Sequence, residues 1–339
     1  IPEEIDLMLV LSPKDLNKKQ VFALDQFLMK GGSIVLVTSP VNVNLSRNGF
    51  NMNPIESGLN NWLGFHGINM KKELVLDKSN VGFPEFRKRV VQGVTITEPY
   101  IAPYPMLVDV REKGLNQDNL ISSGLGQLTM AWASPINIDS NKNKERTVTT
   151  LVQSSENSWS TDNLEVETNR RSYPKLGFAE GEKKSPMILA SMIEGKFTSY
   201  YKGQKSPLLE EKKPEENSKD KNKTKEKKEE EKTGVVTSVI ESSSDSARLI
   251  VFASNDFVSD DLLKLAGMVQ GTQYINSLQA IENSLDWSSQ DRDLMAIRGR
   301  GHFAATLVPM EDQDRQFWEV LNLAMSRPRG GTMAKIRVA

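Results

Sequence analysis

One segment, residues 17–40, constrains the fold more than any other part of the chain. Its apolar residues recur at helical spacing, the pair Gly31 and Gly32 ends the pattern, and Ser33–Thr38 follows as a continuous run typical of a buried strand. An earlier apolar run, Ile5–Leu11, supplies a strand before the helix. Strand, helix and strand within about forty residues match the length of a βαβ unit. We therefore predict two parallel strands joined by a right-handed crossover.

The alternation of helix and strand recurs along the chain. Helical periodicity at residues 54–65 precedes a short strand at 73–76, and a core strand at 247–253 precedes further helical segments. This alternation is typical of an α/β fold with an open, mostly parallel sheet and helices on both faces. We predict a single α/β domain over residues 1–290.

Three regions differ from this alternation. Residues 81–200 carry β-branched runs separated by prolines, which predicts a β-rich extension. Residues 203–234 are dominated by lysine and glutamate and contain no aromatic residue. We predict a disordered charged insertion there, because the segment cannot bury enough apolar surface to offset its ordering entropy. Residues 291–339 have weaker periodicity and form a C-terminal extension.

Composition excludes several kinds of chemistry. The chain has 339 residues and no cysteine, which excludes disulfides, thiolate metal sites and cysteine nucleophiles. It has two histidines, and neither has a second ligand nearby in sequence, so we predict no metal and no cofactor. His66 follows a helix, where we expect a capping or surface role. The 43 basic and 44 acidic residues nearly balance, so the net charge gives no argument for a nucleic-acid partner.

A candidate binding site follows from the predicted topology. In an open α/β sheet, ligands bind outside the carboxyl ends of the strands. The turns expected there contain Ser12, Thr38, Ser39, Ser254, Asn255 and Asp256. These hydroxyl, amide and carboxylate groups suit hydrogen bonding to a glycan or peptide better than bond breaking, because no nucleophile with an adjacent base is evident. The structural alternative is that they are helix caps and turns.

A series of short motifs carries a resemblance to a known family. In chain order they are Ile1–Asp6, Leu9–Pro13, Ala23–Phe27, Gly31-Gly32, Pro103–Pro105, Trp132–Pro135, Leu151–Ser155, Gly195–Tyr200, Asp256-Phe257, Asn283–Trp287, Asp293-Leu294 and Ile297-Arg298. Taken together, they resemble the GldG-like auxiliary component of gliding-motility-type ABC transport systems, over roughly residues 1–300.

The resemblance implies a periplasmic domain held to the inner membrane by flanking helices absent from this sequence, with residues 291–339 leading toward such an anchor. It implies an ABC permease and an ATPase as partners, and a fold of the class I glutamine-amidotransferase-like and flavodoxin-like group. No catalytic residue carries over, because amidotransferase chemistry requires a cysteine and the chain has none. The sequence departs from the family at Ser254 and Asn255, where Gly-Asp is common, and in the length of its charged insertion.

Three hypotheses for function follow. The first is a non-enzymatic accessory domain of a transport system that binds a protein partner or a glycan at the strand ends. The second is a hydrolase or transferase that uses Asp256 on a glycan or peptide in the same cleft. The third is nucleic-acid or lipid binding through Arg298 and Arg300, which are separated by a glycine.

Overall fold

The computed structural model describes residues 5–46, 49–91, 93–209, 238–270 and 276–289, together with Trp318. The chain divides into two compact units, residues 1–303 and residues 304–339. In the second unit the described residue is Trp318, which is helical and exposed. The predicted C-terminal extension, including Arg298 and Arg300, otherwise lies outside the described residues.

The described part of the first unit forms fourteen strands and four α-helices. The helices are α1 (Lys18–Met29), α2 (Asn60–Phe65), α3 (Asp260–Gln270) and α4 (Asn276–Ser288). The strands are β1 (Leu7–Leu11), β2 (Ser33–Val37), β3 (Val41–Ser46), β4 (Gly49–Pro54), β5 (Ile68–Met70), β6 (Leu74–Asp77), β7 (Asn80–Val91), β8 (Val94–Arg111), β9 (Gln127–Ala131), β10 (Ile136–Ile138), β11 (Thr147–Gln153), β12 (Ser158–Thr161), β13 (Ile188–Glu194) and β14 (Arg248–Phe252). Within the described ranges, no helix has the length and apolar character needed to cross a membrane.

The βαβ unit predicted from the first forty residues is confirmed. The side chain of Asn17 accepts hydrogen bonds from the backbone nitrogens of Lys19 and Gln20, at 3.0 and 3.1 Å. The Gln20 side chain in turn accepts from the Asn17 nitrogen at 2.9 Å, which completes a capping box at the start of α1. After α1, Gly31 has a φ of +93°, a left-handed conformation that favours glycine. Strands β1 and β2 then pair in parallel.

The main sheet has seven strands and is mixed. Strands β1, β2 and β14 are parallel neighbours, and β14 continues to β13 in antiparallel pairing. Strand β13 also pairs antiparallel with β11 and, at Ile188 alone, with β10. Strand β10 pairs antiparallel with β5 at the end of the order. The parallel arrangement is therefore confined to three strands, whereas the sequence predicted a mostly parallel sheet.

The connections explain this difference. A parallel neighbour needs a crossover of a dozen or more residues, usually a helix. Between β5 and β13 the described chain contains no α-helix, so no helix is available there to return β10, β11 and β13 in parallel. The predicted β-rich extension at residues 81–200 supplies β10, β11 and β13, which makes this segment part of the main sheet.

The second predicted helix and strand unit does not extend the parallel sheet. Helix α2 occupies half of the predicted range 54–65, and β6 pairs antiparallel with β12 in a separate two-stranded sheet. Strands β3 and β4 form a hairpin of their own, and β7, β8 and β9 form a three-stranded sheet. In the predicted insertion 203–234, a short 3₁₀ turn at Pro207–Leu209 is described, and residues 210–234 lie outside the described residues.

The core lies on both faces of the main sheet. Along β2, Val35 and Val37 belong to one buried cluster, whereas Ile34 and Leu36 belong to another. The first cluster includes Leu262 of α3 and Ile281 of α4, and the second includes residues of α1 and α2. Helices thus pack against both faces, and the carboxyl ends of the parallel strands meet at one edge between them.

Candidate functional site

The carboxyl ends of the three parallel strands lie side by side. Leu11 of β1 is opposite Val37 of β2, which is opposite Phe252 of β14. The turns that follow these strands therefore meet at one edge of the sheet, as the predicted topology requires. We call the six residues predicted there, together with their hydrogen bonds, the strand-end cluster: Ser12, Thr38, Ser39, Ser254, Asn255 and Asp256.

Asn255 is the centre of the strand-end cluster. Its side-chain oxygen accepts a hydrogen bond from the Ser39 nitrogen at 3.1 Å, and its side-chain nitrogen donates to the carbonyl oxygens of Ser39 and Val41, at 2.9 and 2.7 Å. The residue is 5% exposed. The amide thus completes the backbone pairing where β2 ends, and its hydrogen-bonding capacity is used within the protein.

Two serines of the cluster are buried and bonded to residues that the sequence did not indicate. The Ser39 and Ser134 hydroxyls lie 3.0 Å apart. The Ser254 hydroxyl donates to the carbonyl oxygen of Ala131 and accepts from the backbone nitrogen of Asp256 at 3.2 Å. The bond to Ser134 joins the turn after β2, and the bond to Ala131 joins the turn after β14, to the chain at or just beyond the end of β9. Neither periodicity nor spacing could have revealed these two bonds, because the partners are more than 90 residues apart.

Ser12 is the exposed member of the strand-end cluster. Its φ is +43°, and its hydroxyl donates to the Asn255 carbonyl oxygen at 2.9 Å. Its backbone nitrogen donates to the Val37 carbonyl oxygen at 2.8 Å. Thr38 is 1% exposed, and its backbone nitrogen donates to the Phe252 carbonyl oxygen at 3.0 Å. The edge thus presents Ser12 to solvent above a buried hydrogen-bonded layer.

Asp256 is the titratable group of the strand-end cluster. It is 8% exposed, and its carboxylate accepts a hydrogen bond from the Val43 nitrogen at 3.3 Å. Burial raises the pKa of Asp256 to about 6, because desolvation disfavours the charged form and this single hydrogen bond offsets it only in part. A carboxyl group of this kind exchanges its proton near neutral pH.

The chemistry of the cluster is that of hydrogen bonding. Its serine hydroxyls are bonded to backbone carbonyls or to another serine, and no histidine or lysine is bonded to them in the described ranges. Over the same ranges, no three histidine, aspartate or glutamate side chains are grouped as a metal site requires. The cluster therefore lacks an activated nucleophile of the serine–base type.

A second buried polar cluster was not predicted. Asp25 on α1 is fully buried, and its carboxylate accepts hydrogen bonds from Trp62 Nε1 and the Tyr200 nitrogen, both at 3.0 Å, and from the Ser199 hydroxyl. Burial opposes ionisation of Asp25, but the neighbouring His66 and these hydrogen-bond donors together outweigh it and hold its pKa below the usual value. The signal in the sequence was the presence of Asp25 and Gln26 within the apolar face of α1.

His66 belongs to this second cluster and not to the surface. It is the C-cap residue of α2, as expected, but it is 1% exposed and enclosed by the aromatic rings of Trp62, Phe65 and Phe197. Its Nε2 lies 3.9 Å from the Asp25 carboxylate, which is too long for a hydrogen bond. Burial lowers the pKa of His66 against the opposing effect of Asp25, so the imidazole is neutral at pH 7.

Two cavities lie away from the strand-end cluster. One of about 860 Å³ is at the opposite edge of the sheet, where the parallel strands begin, and Phe22, Lys30 and Arg248 are among its lining residues. The other, of about 760 Å³, lies beside β10 and β11 and includes Asn143 and Arg146. The sequence indicated neither cavity, because their linings come from segments far apart in the chain.

Comparison with known proteins identifies the family. A sequence profile described as "ABC-type uncharacterized transport system" matches residues 1–287. The chain belongs to this family. The family is that of an auxiliary component of ABC-type transport systems, which is the coarser part of what the ordered motifs predicted.

The relatives of the chain add no further identification. An uncharacterized protein of Borreliella burgdorferi is 24% identical over 209 residues, which cover 61% of this chain and 38% of that protein. The chain thus matches less than half the length of this relative. No solved structure matches the chain. Its placement in the GldG-like subfamily and in the amidotransferase-like and flavodoxin-like group stays a prediction.

Proposed function

We propose that this member of the ABC transport family is a non-enzymatic, GldG-like accessory domain that works outside the cytoplasm with the permease and ATPase of a gliding-motility-type system. The observation that carries the proposal is the family match over residues 1–287. The permease and ATPase are the partners that an auxiliary component of such a system requires.

The strand-end cluster supports a binding role over a catalytic one. Thr38, Ser39 and Ser254 are at most 1% exposed. Such groups hold the shape of an edge and do not react with a ligand. Ser12 is the exposed member, so a protein partner or a glycan would contact the edge at Ser12 and the surrounding backbone.

Co-purification tests the partner assignment. The complete protein is expressed with the permease and ATPase subunits encoded beside its gene, and complexes are isolated through a tag on this chain. We expect both subunits to be recovered, and Ser12→Arg to reduce their recovery because it places a long cationic side chain on the edge. Ser172→Arg is the matched control, because Ser172 is also exposed but lies outside the cluster. Absence of both subunits from the unaltered complex would refute the proposal.

Location can be tested with a membrane-impermeant thiol reagent. The chain has no cysteine, so a single Ser172→Cys substitution provides one reactive thiol on an exposed residue. In whole cells whose outer barrier has been permeabilised, a domain outside the cytoplasm is labelled before lysis. Labelling that requires lysis of the inner membrane would contradict the extracytoplasmic assignment.

The raised pKa of Asp256 favours an enzymatic function as the second candidate. A carboxyl group with a pKa of about 6 can donate or accept a proton near neutral pH, as a general acid or base must. Incubation with a panel of glycans and peptides tests this function. Turnover by the unaltered protein that Asp256→Asn abolishes, with folding retained, would favour an enzyme; no turnover by the unaltered protein would remove this candidate.

A further inference from the structure

The outer part of the β7–β8 hairpin projects as a two-stranded arm, which we define as residues 84–101. The two strands pair continuously from Phe83 opposite Ala102 to Val91 opposite Val94. Between residues 86 and 97, every residue with a described side chain is exposed. At about 3.3 Å per residue, the five steps from Phe86 to Val91 extend the arm by roughly 17 Å.

The arm exposes large apolar side chains that a protein surface seldom leaves in water. Their exposed fractions are 76% for Phe86, 68% for Val90, 64% for Val94, 46% for Ile96 and 53% for Ile101. Such a concentration on one projecting element marks an interaction surface.

These apolar side chains occupy both faces of the arm near its tip. Residues that pair across an antiparallel hairpin lie on the same face, and successive residues alternate between faces. Val90 is on one face, whereas Ile96, opposite Arg89, and Val94, opposite Val91, are on the other. A partner groove that covers one face would leave the other in water. A surrounding apolar medium covers both faces at once.

A group of cations lies directly behind the apolar tip. Arg87, Lys88 and Arg89 are consecutive, and residues 86–97 contain no aspartate or glutamate. The Arg87 side chain forms a salt bridge with Glu98, with 2.7 Å between Nε and Oε1. Lys88 and Arg89 have no acidic partner in the described part of the chain. The turn of the hairpin is thus flanked by valines, and the positive charges lie one or two residues behind them.

We propose that the tip of this arm inserts into the interface of an anionic lipid bilayer. Val90 and Val94 enter the boundary between headgroups and acyl chains, while Lys88 and Arg89, with Ile96 opposite Arg89, lie at the level of the lipid phosphates. Apolar burial combined with attraction of basic residues to anionic lipid is the general basis of interfacial binding.

The backbone limits the depth of insertion. Both outer edges of the arm carry unpaired backbone groups, which cannot enter the hydrocarbon without loss of their hydrogen bonds. The tip therefore stays within the hydrated interface. The charge pattern also disfavours a second copy of the chain as the partner, because two such tips would bring like charges together.

Two labelled variants test the depth of contact. Because the chain has no cysteine, Val94→Cys and Ile101→Cys each accept one environment-sensitive fluorophore, the first at the tip and the second at the base of the arm. Vesicles of phosphatidylglycerol mixed with phosphatidylcholine are added to the full chain. We expect a blue shift and increased emission from the label at 94 and little change from the label at 101. Equal responses, or no response at 94, would overturn the proposal.

A charge-matched pair tests the role of the cations. Lys88→Gln with Arg89→Gln removes two charges from the arm, and Lys113→Gln with Lys144→Gln removes two from exposed sites elsewhere. In vesicle sedimentation with the same anionic lipids, the arm variant should bind about tenfold to thirtyfold more weakly, since each cation near the surface contributes about fivefold. The control pair should bind as the unaltered chain does.

The remaining outcomes also decide the proposal. If the two charge variants weaken vesicle binding equally, the binding depends on the overall charge of the chain and the proposal is overturned. A response of the label at 101 to a protein of the transport system, without response of either label to vesicles, would assign the arm to a protein groove and likewise overturn it. The test does not depend on the transporter partners, so it can fail while the proposed function holds.

Discussion

The carboxylate of Asp25 on α1 accepts a hydrogen bond from the indole nitrogen of Trp62 on α2 at 3.0 Å, with both side chains excluded from solvent. The same carboxylate holds the turn at Ser199 and Tyr200. One buried charge therefore ties together three segments that the sequence separates by up to 175 residues. A buried charge is stable only when its oxygens are hydrogen-bonded, and here both oxygens are.

The first prediction concerns this network. Asp25→Ala leaves the Trp62 indole, the Ser199 hydroxyl and the Tyr200 nitrogen without their acceptor, so we expect a loss of about 3–5 kcal/mol in the free energy of unfolding. Asp25→Asn keeps one acceptor oxygen, so its free energy of unfolding should fall by less. Urea denaturation measures both. Asp162→Ala, at an exposed aspartate, is the control and should change stability by less than about 0.5 kcal/mol. A loss below about 1 kcal/mol for Asp25→Ala would contradict this role.

The second prediction is a pH dependence at Asp256. Its pKa rises from 3.8 to about 6 on folding, so the folded state binds the proton more tightly than the unfolded state. The contribution of Asp256 to stability is therefore greatest below about pH 4 and is lost as the pH rises to about 6. Above that pH, the charged carboxylate lowers the free energy of unfolding by up to about 3 kcal/mol relative to the protonated form.

Asp256→Asn isolates this effect, since the amide does not titrate and its oxygen can still accept from the Val43 nitrogen. We expect the variant to be more stable than the unaltered chain at pH 7.5, with the advantage disappearing near pH 4. Thermal and urea unfolding at the two pH values measure the difference. A constant difference across this range would show that Asp256 titrates normally in the folded protein.

The third prediction concerns the amide at the centre of the strand-end cluster. Asn255→Asp replaces the donor to the Ser39 and Val41 carbonyl oxygens with a second acceptor, so we expect a loss of about 3 kcal/mol at neutral pH. The loss should shrink in acid, where a protonated carboxyl can donate one hydrogen bond. Asn157→Asp makes the same change on an exposed residue and should be nearly neutral. Equal effects of the two changes in chemical denaturation would rule out a structural role for the Asn255 amide.

The fourth prediction compares two glycines that both have positive φ. Gly58 has a φ of +82°, and a Cβ there would lie 2.3 Å from the Leu16 carbonyl oxygen. Gly93, at the tip of the arm, has a φ of +81° and no atom within 4 Å of such a Cβ. Gly93→Ala should cost about 1 kcal/mol for conformation alone, and Gly58→Ala at least about 3 kcal/mol because backbone atoms must also move. Calorimetry of the two variants measures this, and equal losses would exclude the Leu16 contact as the cause.

The position of the candidate site was predictable from the sequence, but the hydrogen bonding of its side chains was not. Hydrophobic runs located β2 and β14, and parallel pairing required the residues after them, including Ser39 and Asn255, to meet at one edge. The sequence could not indicate that Asn255 would use its amide on Ser39 and Val41, more than 210 residues away in the chain. The polar side chains that suggested a ligand site are therefore largely bonded to the protein itself.

The sequence by itself determined the local elements. The capping box at Asn17 and Gln20, the glycine after α1 and the apolar run of β2 each act within a few residues, so composition and spacing encode them directly. Tertiary structure alone decided which strands became antiparallel neighbours, that His66 is buried beside Asp25, and that Ser134 meets Ser39. The physical reason is that periodicity encodes which side of an element is buried, whereas the partners of buried polar atoms and strand edges depend on contacts between distant parts of the chain.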